Sequence, residues 1–215
     1  DAIAQNVLSV TDVADATYIL TINVDGYNEY TVNVTRDDLV NLYHDAPLLV
    51  ELETVISPDN VQSRLADGET PLDIYNSDNE LLDSLYGKTY EGGLIASLNT
   101  TNGTGIIAAP SDQASGLWDE ANLVCTALDL GGKTDWYLPS KDELNLLWEN
   151  LADSDGDNSN TGTSDPNNIG GFANNDYWSS THFDSVDVWI QSFNNGYQFN
   201  YGRGTTFNVR AVRAF

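Results

Sequence analysis

The stretch TDWYLPSKDELNLLWENL, residues 134–151, passes from strand-like to helix-like composition within a few residues. Pro139 disfavours a helical conformation at Leu138, because its ring crowds the preceding residue, so DWYL reads as a short buried strand. Ser140 and Glu143 then form an S-x-x-E capping box, which satisfies two otherwise free backbone N–H groups and starts a helix at Lys141. Leu144, Leu147, Trp148 and Leu151 follow at i, i+3, i+4 and i+7, a single apolar stripe that must be buried. A strand joined through one proline to a capped amphipathic helix predicts an α+β architecture in which the helix packs on a sheet.

The flanking segments extend this reading in both directions. Upstream, YEGGLIASL and TGIIAAP are apolar runs too short for helices and bounded by glycines, and so read as strands. In SGLWDEANLVCTALDLGG, Leu117, Ala121, Val124 or Cys125 and Leu128 share one helical face, with Gly131-Gly132 as the stop. Downstream, a long polar loop over 152–175 precedes four β segments, YWSST, VDVWIQSF, YQFNY and FNVRAVRAF, the middle two joined at Asn195-Gly196. At the other end, TYILTINV and YNEYTVNV alternate around Asp25-Gly26 and predict a hairpin, with residues 1–16 as an arm before it. TRDDLVNLYHD reads as a helix with Thr35 as N-cap and Asp38 at N3, and LLVELETVI as a strand. SPDNVQSRLADG reads as a helix capped by Ser57, with Pro58 in its first turn and Gly68 closing it. The turn-rich segment 68–88 is expected to connect a small α+β unit, 1–85, to a second domain, 86–215.

Composition narrows the function. The 215 residues carry a formal charge of −25, a surface that repels nucleic acid and anionic membranes. The excess acid suits either a solvated surface for high salt or sites for hard cations. Cys125 is the one cysteine, so neither an internal disulfide nor a Cys-rich zinc site can form. No apolar run reaches the roughly 18 residues of a spanning helix, so membrane insertion is not expected. The opening residues lack a basic-then-apolar leader and the chain contains no Met, as expected of a processed or trimmed chain.

For chemistry, neither His44 nor His182 sits near a Ser or Cys in a nucleophile context, and no carboxylate pair stands out, so no catalytic centre is expected. Asp153, Asp155 and Asp157 occupy positions 1, 3 and 5 of a calcium-loop pattern, so no cofactor is expected unless this loop, otherwise read as solvated surface, holds calcium. The pattern breaks at Asn158, where glycine is usual, and at Ser164, where a bidentate Glu would stand. The richest recognition composition is THFDSVDVWIQSFNNGYQFNYGRGTTF, since Tyr, Trp and amides give large contact area and adaptable hydrogen bonds. Alternation puts Val188 and Ile190 inward and Trp189, Gln191 and Phe193 on the other face. Ligand contact is therefore expected from Trp189, Gln191, Tyr197 and Tyr201, together with His182, Asp184, Arg203 and Thr205 on loops. Against this, Trp189, Tyr197, Phe199 and Tyr201 could complete a core or a subunit interface. Arg210 and Arg213 are expected to pair with acidic neighbours.

YEGGLIASL, GIIAAPSD, DWYLPSKDELNLLW, GGFANNDYWSST, FNNGYQ and VRAVRAF, in that order, resemble the Lcl C-terminal domain family of bacterial surface and phage proteins, over roughly residues 86–215. The resemblance implies a C-type-lectin-like fold, two helices with a twisted antiparallel sheet, of the architecture shared by diversified phage receptor-binding proteins and formylglycine-generating enzymes. The activity of those enzymes depends on cysteines that bind copper or perform redox chemistry, and with one Cys it does not carry over. What it implies instead is a non-enzymatic recognition protein of a virion or cell surface, extracellular, whose partner is a host receptor or glycan. The alternative is a structural subunit, such as a capsid decoration, tail component or filament protein, whose partners are other subunits or its own copies. The N-terminal hairpin is similar to small β modules of phage virion proteins.

Overall fold

A computed structural model describes the backbone of Ser9–Val13, Thr17–Ile22 and Tyr30–Thr35 and the whole of residues 61–215. The first unit, Asp1–Asn60, and the second, Val61–Phe215, are compact bodies, each described by itself. In the first, β1 (Ser9–Val13), β2 (Thr17–Ile22) and β3 (Tyr30–Thr35) form an antiparallel sheet in that order. β2 and β3 pair from Thr17↔Thr35 to Ile22↔Tyr30, as expected for the two arms of the hairpin. Part of the segment read as an arm is β1, which pairs with β2. The turn at Asp25-Gly26, the helix and strand read between residues 35 and 56, the Ser57–Pro58 cap and His44 lie outside the described residues.

The second unit begins earlier than the turn-rich segment suggested, so the boundary read near Leu85 falls inside it. Its first helix, α1 (Val61–Ala66), buries Val61 and Leu65 and ends at Gly68, whose φ of +99° is the left-handed closing conformation. α2 (Pro71–Ser77) follows where only a connection was read. Thr70 Oγ1 accepts the Asp73 N–H at 3.1 Å and the Asp73 carboxylate accepts the Thr70 N–H at 3.1 Å, a reciprocal cap with Pro71 at the first helical position. α3 (Leu82–Leu85) completes this helical group, with Ile74, Leu81 and Leu85 buried.

Two sheets build the rest. β4 (Thr89–Tyr90), β5 (Gly93–Leu98) and β6 (Gly105–Ala108) run antiparallel, and β12 (Val212–Ala214) adds to β6, giving the order β12-β6-β5-β4. The second sheet has the order β10-β9-β8-β11-β7, from β7 (Gln113–Gly116), β8 (Asp176–His182), β9 (Asp187–Ser192), β10 (Gln198–Gly202) and β11 (Phe207–Val209). All neighbours in it are antiparallel except β8 and β11. FNVRAVRAF, read as one strand, is thus two strands in different sheets, with Arg210 buried at the crossing. DWYL forms no ladder: Trp136 and Leu138 are buried as expected, but only Tyr137 makes a β-bridge, to Val212.

α4 (Trp118–Thr126) and α5 (Lys141–Leu147) cover opposite faces of the five-stranded sheet. α5 starts as its sequence demands, with Ser140 Oγ accepting the Glu143 N–H at 3.2 Å and Glu143 Oε2 accepting the Ser140 N–H at 2.8 Å. Its stripe of Leu144, Leu147, Trp148 and Leu151 packs with Phe172, Tyr177 and Phe193. On the other side, Ala121 and Cys125 of α4 pack with Trp136, Leu138, Trp178, Val188, Ile190 and Val209. Neighbours Tyr177 and Trp178 point into different clusters, the alternation of a strand buried on both faces. Burial pushes the Cys125 thiol up to about 12, so it is inert as a nucleophile at neutral pH. α4 stops before the glycines, at Thr126, and Leu117 remains 40% exposed at its start. Arg213 pairs with Asp135 and Glu91 at 2.8 Å each and holds both carboxyls below their usual range.

Candidate binding cleft

At Trp148 the backbone of α5 widens into a π-helical turn, Trp148–Ala152, in which the Asp153 N–H reaches the Trp148 carbonyl at 2.9 Å. The extra residue keeps Trp148, Leu151 and Ala152 buried and leaves Asn145 and Glu149 outside, linked by Asn145 Nδ2 donating to Glu149 Oε1 at 2.8 Å. The chain then reverses through Gly156 and Asn158, both with positive φ. Opposite stands the loop between β9 and β10, where Gly196 at φ +74° lies so close to the indole that a Cβ there would be 2.5 Å from Trp148 Nε1. Between these two loops opens a cleft of about 260 Å³ lined by Asn145, Trp148, Glu149, Asp153, Asn158 and Asn195, with Gly156 and Gly196. A second depression shares Asn158, Asn195 and Gly196 and carries the surface on to Tyr197.

Buried amides hold both walls. Asn160 Nδ2 donates to the Phe193 carbonyl at 2.9 Å and its backbone N–H to Asn194 at 3.1 Å, which ties the 153–175 loop to the β9–β10 loop. Asn168 exchanges hydrogen bonds with the Phe172 backbone at 2.7 and 2.9 Å. The polar loop is therefore a fixed wall, since each buried amide would leave unsatisfied groups if the loop moved away.

Asp153 is buried, and both of its oxygens accept the Asn158 N–H, at 3.1 and 3.2 Å. Burial raises its carboxyl above the usual range, opposed by the N–H groups of Asn158 and Ser159 and reinforced by the charge of Asp157. Exposed Asp155 and Asp157 each bring an oxygen that lies, with one from Asp153, within a 4.8 Å group. Calcium takes oxygens at 2.3–2.6 Å, so this spacing fits one ion, with water completing the shell. Asn158 at φ +61° also supplies the left-handed turn for which glycine is usual at that loop position. The expected result is a higher melting temperature in millimolar calcium than in EDTA, about 2.7 kcal/mol of stabilisation at a hundredfold excess over Kd. Coincident melts would remove calcium from this loop.

The residues expected to bind ligand do not form one site. Tyr197, 73% exposed, stands on the rim of the cleft. At the far end of the sheet, the His182 ring meets Trp118 edge-on at 5.0 Å and Arg203 lies 5.6 Å from the same indole while donating to Ser185 at 2.7 Å. Asp184 accepts the Val186 and Asp187 N–H groups, which lower its pKa, and Thr205 closes a turn onto Gly202. Tyr201 packs edge-on to Phe207. Trp189 is half-buried beneath Lys141, whose Nζ lies 3.8 Å from the ring centroid. Gln191 is the clear correction: it is fully buried, donating to Asn145 Oδ1 and the Gly196 carbonyl and accepting from Gln198. Val188 and Ile190 are inward as expected, but α5 also covers the other face, so alternation did not separate core from surface. Asn145, Glu149, Asn158 and Asn195 were missed. Only Asn145 and Glu149, four apart on one helix, carried a local signal.

Residues 91–213, more than half of the chain, match the Lcl C-terminal domain, and the chain belongs to that family. Its mixed α+β fold, antiparallel sheets with few helices, is compatible with that membership. No curated protein matches the chain.

Proposed function

We propose that this chain is a non-enzymatic recognition protein, displayed on a virion or cell surface, that binds a glycan of a host receptor in the cleft beside Tyr197. In this reading the frame is C-type-lectin-like, and its two sheets with α4 and α5 hold the loops that form the cleft. The observation that carries it is the lining itself: three amides and two carboxylates around the edge of one indole, with an exposed phenol at the rim. Sugar hydroxyls donate and accept at once, which amides and carboxylates match, while an aromatic ring covers the apolar face of a pyranose. The pinned walls favour binding, because little loop entropy is lost. Full-length protein on a glycan array is expected to retain a defined set of glycans, and Asn158→Ala with Tyr197→Ala to weaken retention at least about tenfold. Retention on no glycan, or binding indifferent to both changes, sinks the reading. The alternative, a subunit that assembles through its aromatics, draws support from one feature, the exposed ring series of β10.

A further inference from the structure

We propose that two copies of this chain join edge to edge through β10, as a two-fold pair centred on Asn200. β10 is the outer strand of its sheet, and no described strand pairs with its far edge, where the one backbone bond is the Thr205 N–H donating to the Gly202 carbonyl at 3.2 Å. Its backbone orientation follows from the register. The Ser192 N–H bonds the Tyr197 carbonyl at 2.9 Å and the Arg203 N–H bonds the Val186 carbonyl at 3.3 Å, at the two ends of the β9–β10 pairing. Antiparallel ladders alternate, so residues 197, 199, 201 and 203 bond to β9, while Gln198, Asn200 and Gly202 turn their N–H and C=O groups outward. Proteins ordinarily block such an edge with Lys, Pro or a bulge, and Gln-Phe-Asn-Tyr-Gly has none of these.

A second copy is the occupant that fits. Antiparallel pairing about Asn200 lets the two Asn200 residues exchange both backbone bonds and sets each Gly202 N–H against the other copy's Gln198 carbonyl. The same strip serves both partners, as a closed two-fold interface requires. Phe199 and Tyr201, 37% and 47% exposed, then face Tyr201 and Phe199 of the other copy in the close, non-hydrogen-bonded positions where aromatic pairs are most favourable. In a chain of charge −25, β10 itself is uncharged, so two copies can approach along it without opposed carboxylates. Arg203 follows one end, and the cleft holding Glu149 and Asp153 adjoins Tyr197 at the other. In this register each Arg203 backbone stands opposite the partner's Tyr197, while its guanidinium stays bound to the Ser185 carbonyl of its own copy at 2.7 Å.

The test is sedimentation equilibrium of the full chain across a salt series, with the Asn200→Pro variant. Wild type is expected at the mass of two chains, more tightly associated as salt screens the overall repulsion. Because the Asn200 N–H points away from β9, proline there leaves the native ladder intact, and it is expected to raise the dimer Kd about a hundredfold while thermal melting of the dilute chain is unchanged. Tyr201→Asp, on an exposed ring, decides the matter should the proline variant not fold, with at least about a tenfold rise in Kd expected. A monomer at every salt concentration, or a dimer indifferent to the folded variants, overturns the proposal.

Discussion

An Arg210→Met variant is expected to lose about 3 kcal/mol of unfolding free energy, the lower end of the cost of breaking a buried ion pair by removing one partner, because Asp112 keeps a quarter of its side chain exposed. Arg210 is fully buried at the point where the chain leaves β11 for β12. Its Nε donates to Asp112 at 2.7 Å, its Nη1 to the Ala109 and Gly170 carbonyls at 3.0 and 2.9 Å, and its Nη2 to Gly171 at 3.3 Å. Phe172 lies under the guanidinium at 4.0 Å. The other oxygen of Asp112 accepts the Tyr177 hydroxyl at 2.7 Å and the Asn208 amide at 3.2 Å. Methionine fills similar volume but leaves one Asp112 oxygen and three carbonyls without their donor, and lysine, a point charge, cannot reproduce the fork. Equilibrium urea unfolding measures the loss. Arg210→Met/Asp112→Leu should recover part of it, because the stranded charge is gone. A single-variant loss below about 1 kcal/mol would show that water, not the guanidinium, satisfies Asp112.

Gly93→Ala is expected to cost about 3 kcal/mol, at the upper end of what overpacking costs. The reason is contact, not backbone conformation. A Cβ at Gly93 would lie 2.1 Å from Ile107 Cγ2, 2.6 Å from the Ala108 carbonyl oxygen and 3.0 Å from Trp136, so β5 and β6 would have to separate over the indole. Gly132 supplies the contrast. It has φ +72° with nothing near its missing Cβ, and Gly132→Ala is expected to cost only about 1 kcal/mol. Chemical denaturation of both variants separates the two causes, and equal losses would refute the steric account.

Local signals were legible where one segment carried the whole of the physics. The capping box at Ser140 and Glu143 and the stripe from Leu144 to Leu151 are structured as their spacing requires. Thr70 and Asp73 carried the same kind of signal, yet with Asp in place of Glu and many turn formers nearby the segment read as a connection. The covered face of Gln191 was not legible, because it depends on α5 arriving from elsewhere in the chain and donating Asn145 as a partner. The cleft was hidden for the same reason. Its amides come from a helix end, a loop and a hairpin, and only the widened turn at Trp148 and the buried Asn160 bring them together. Tyr197 and Asp153 were identified by type, and the company they keep is a tertiary fact.

The crossing of the chain between sheets at Arg210 has a bearing on synthesis. β6 finds its outer neighbour only when residues 212–214 become available, and β8 is separated from β7 until β11 arrives between them. Neither sheet can be finished while the ribosome still holds that segment, and pairings so distant along the chain are slow to form. A nascent chain halted before residue 207 therefore presents open strand edges, the state most in need of a chaperone.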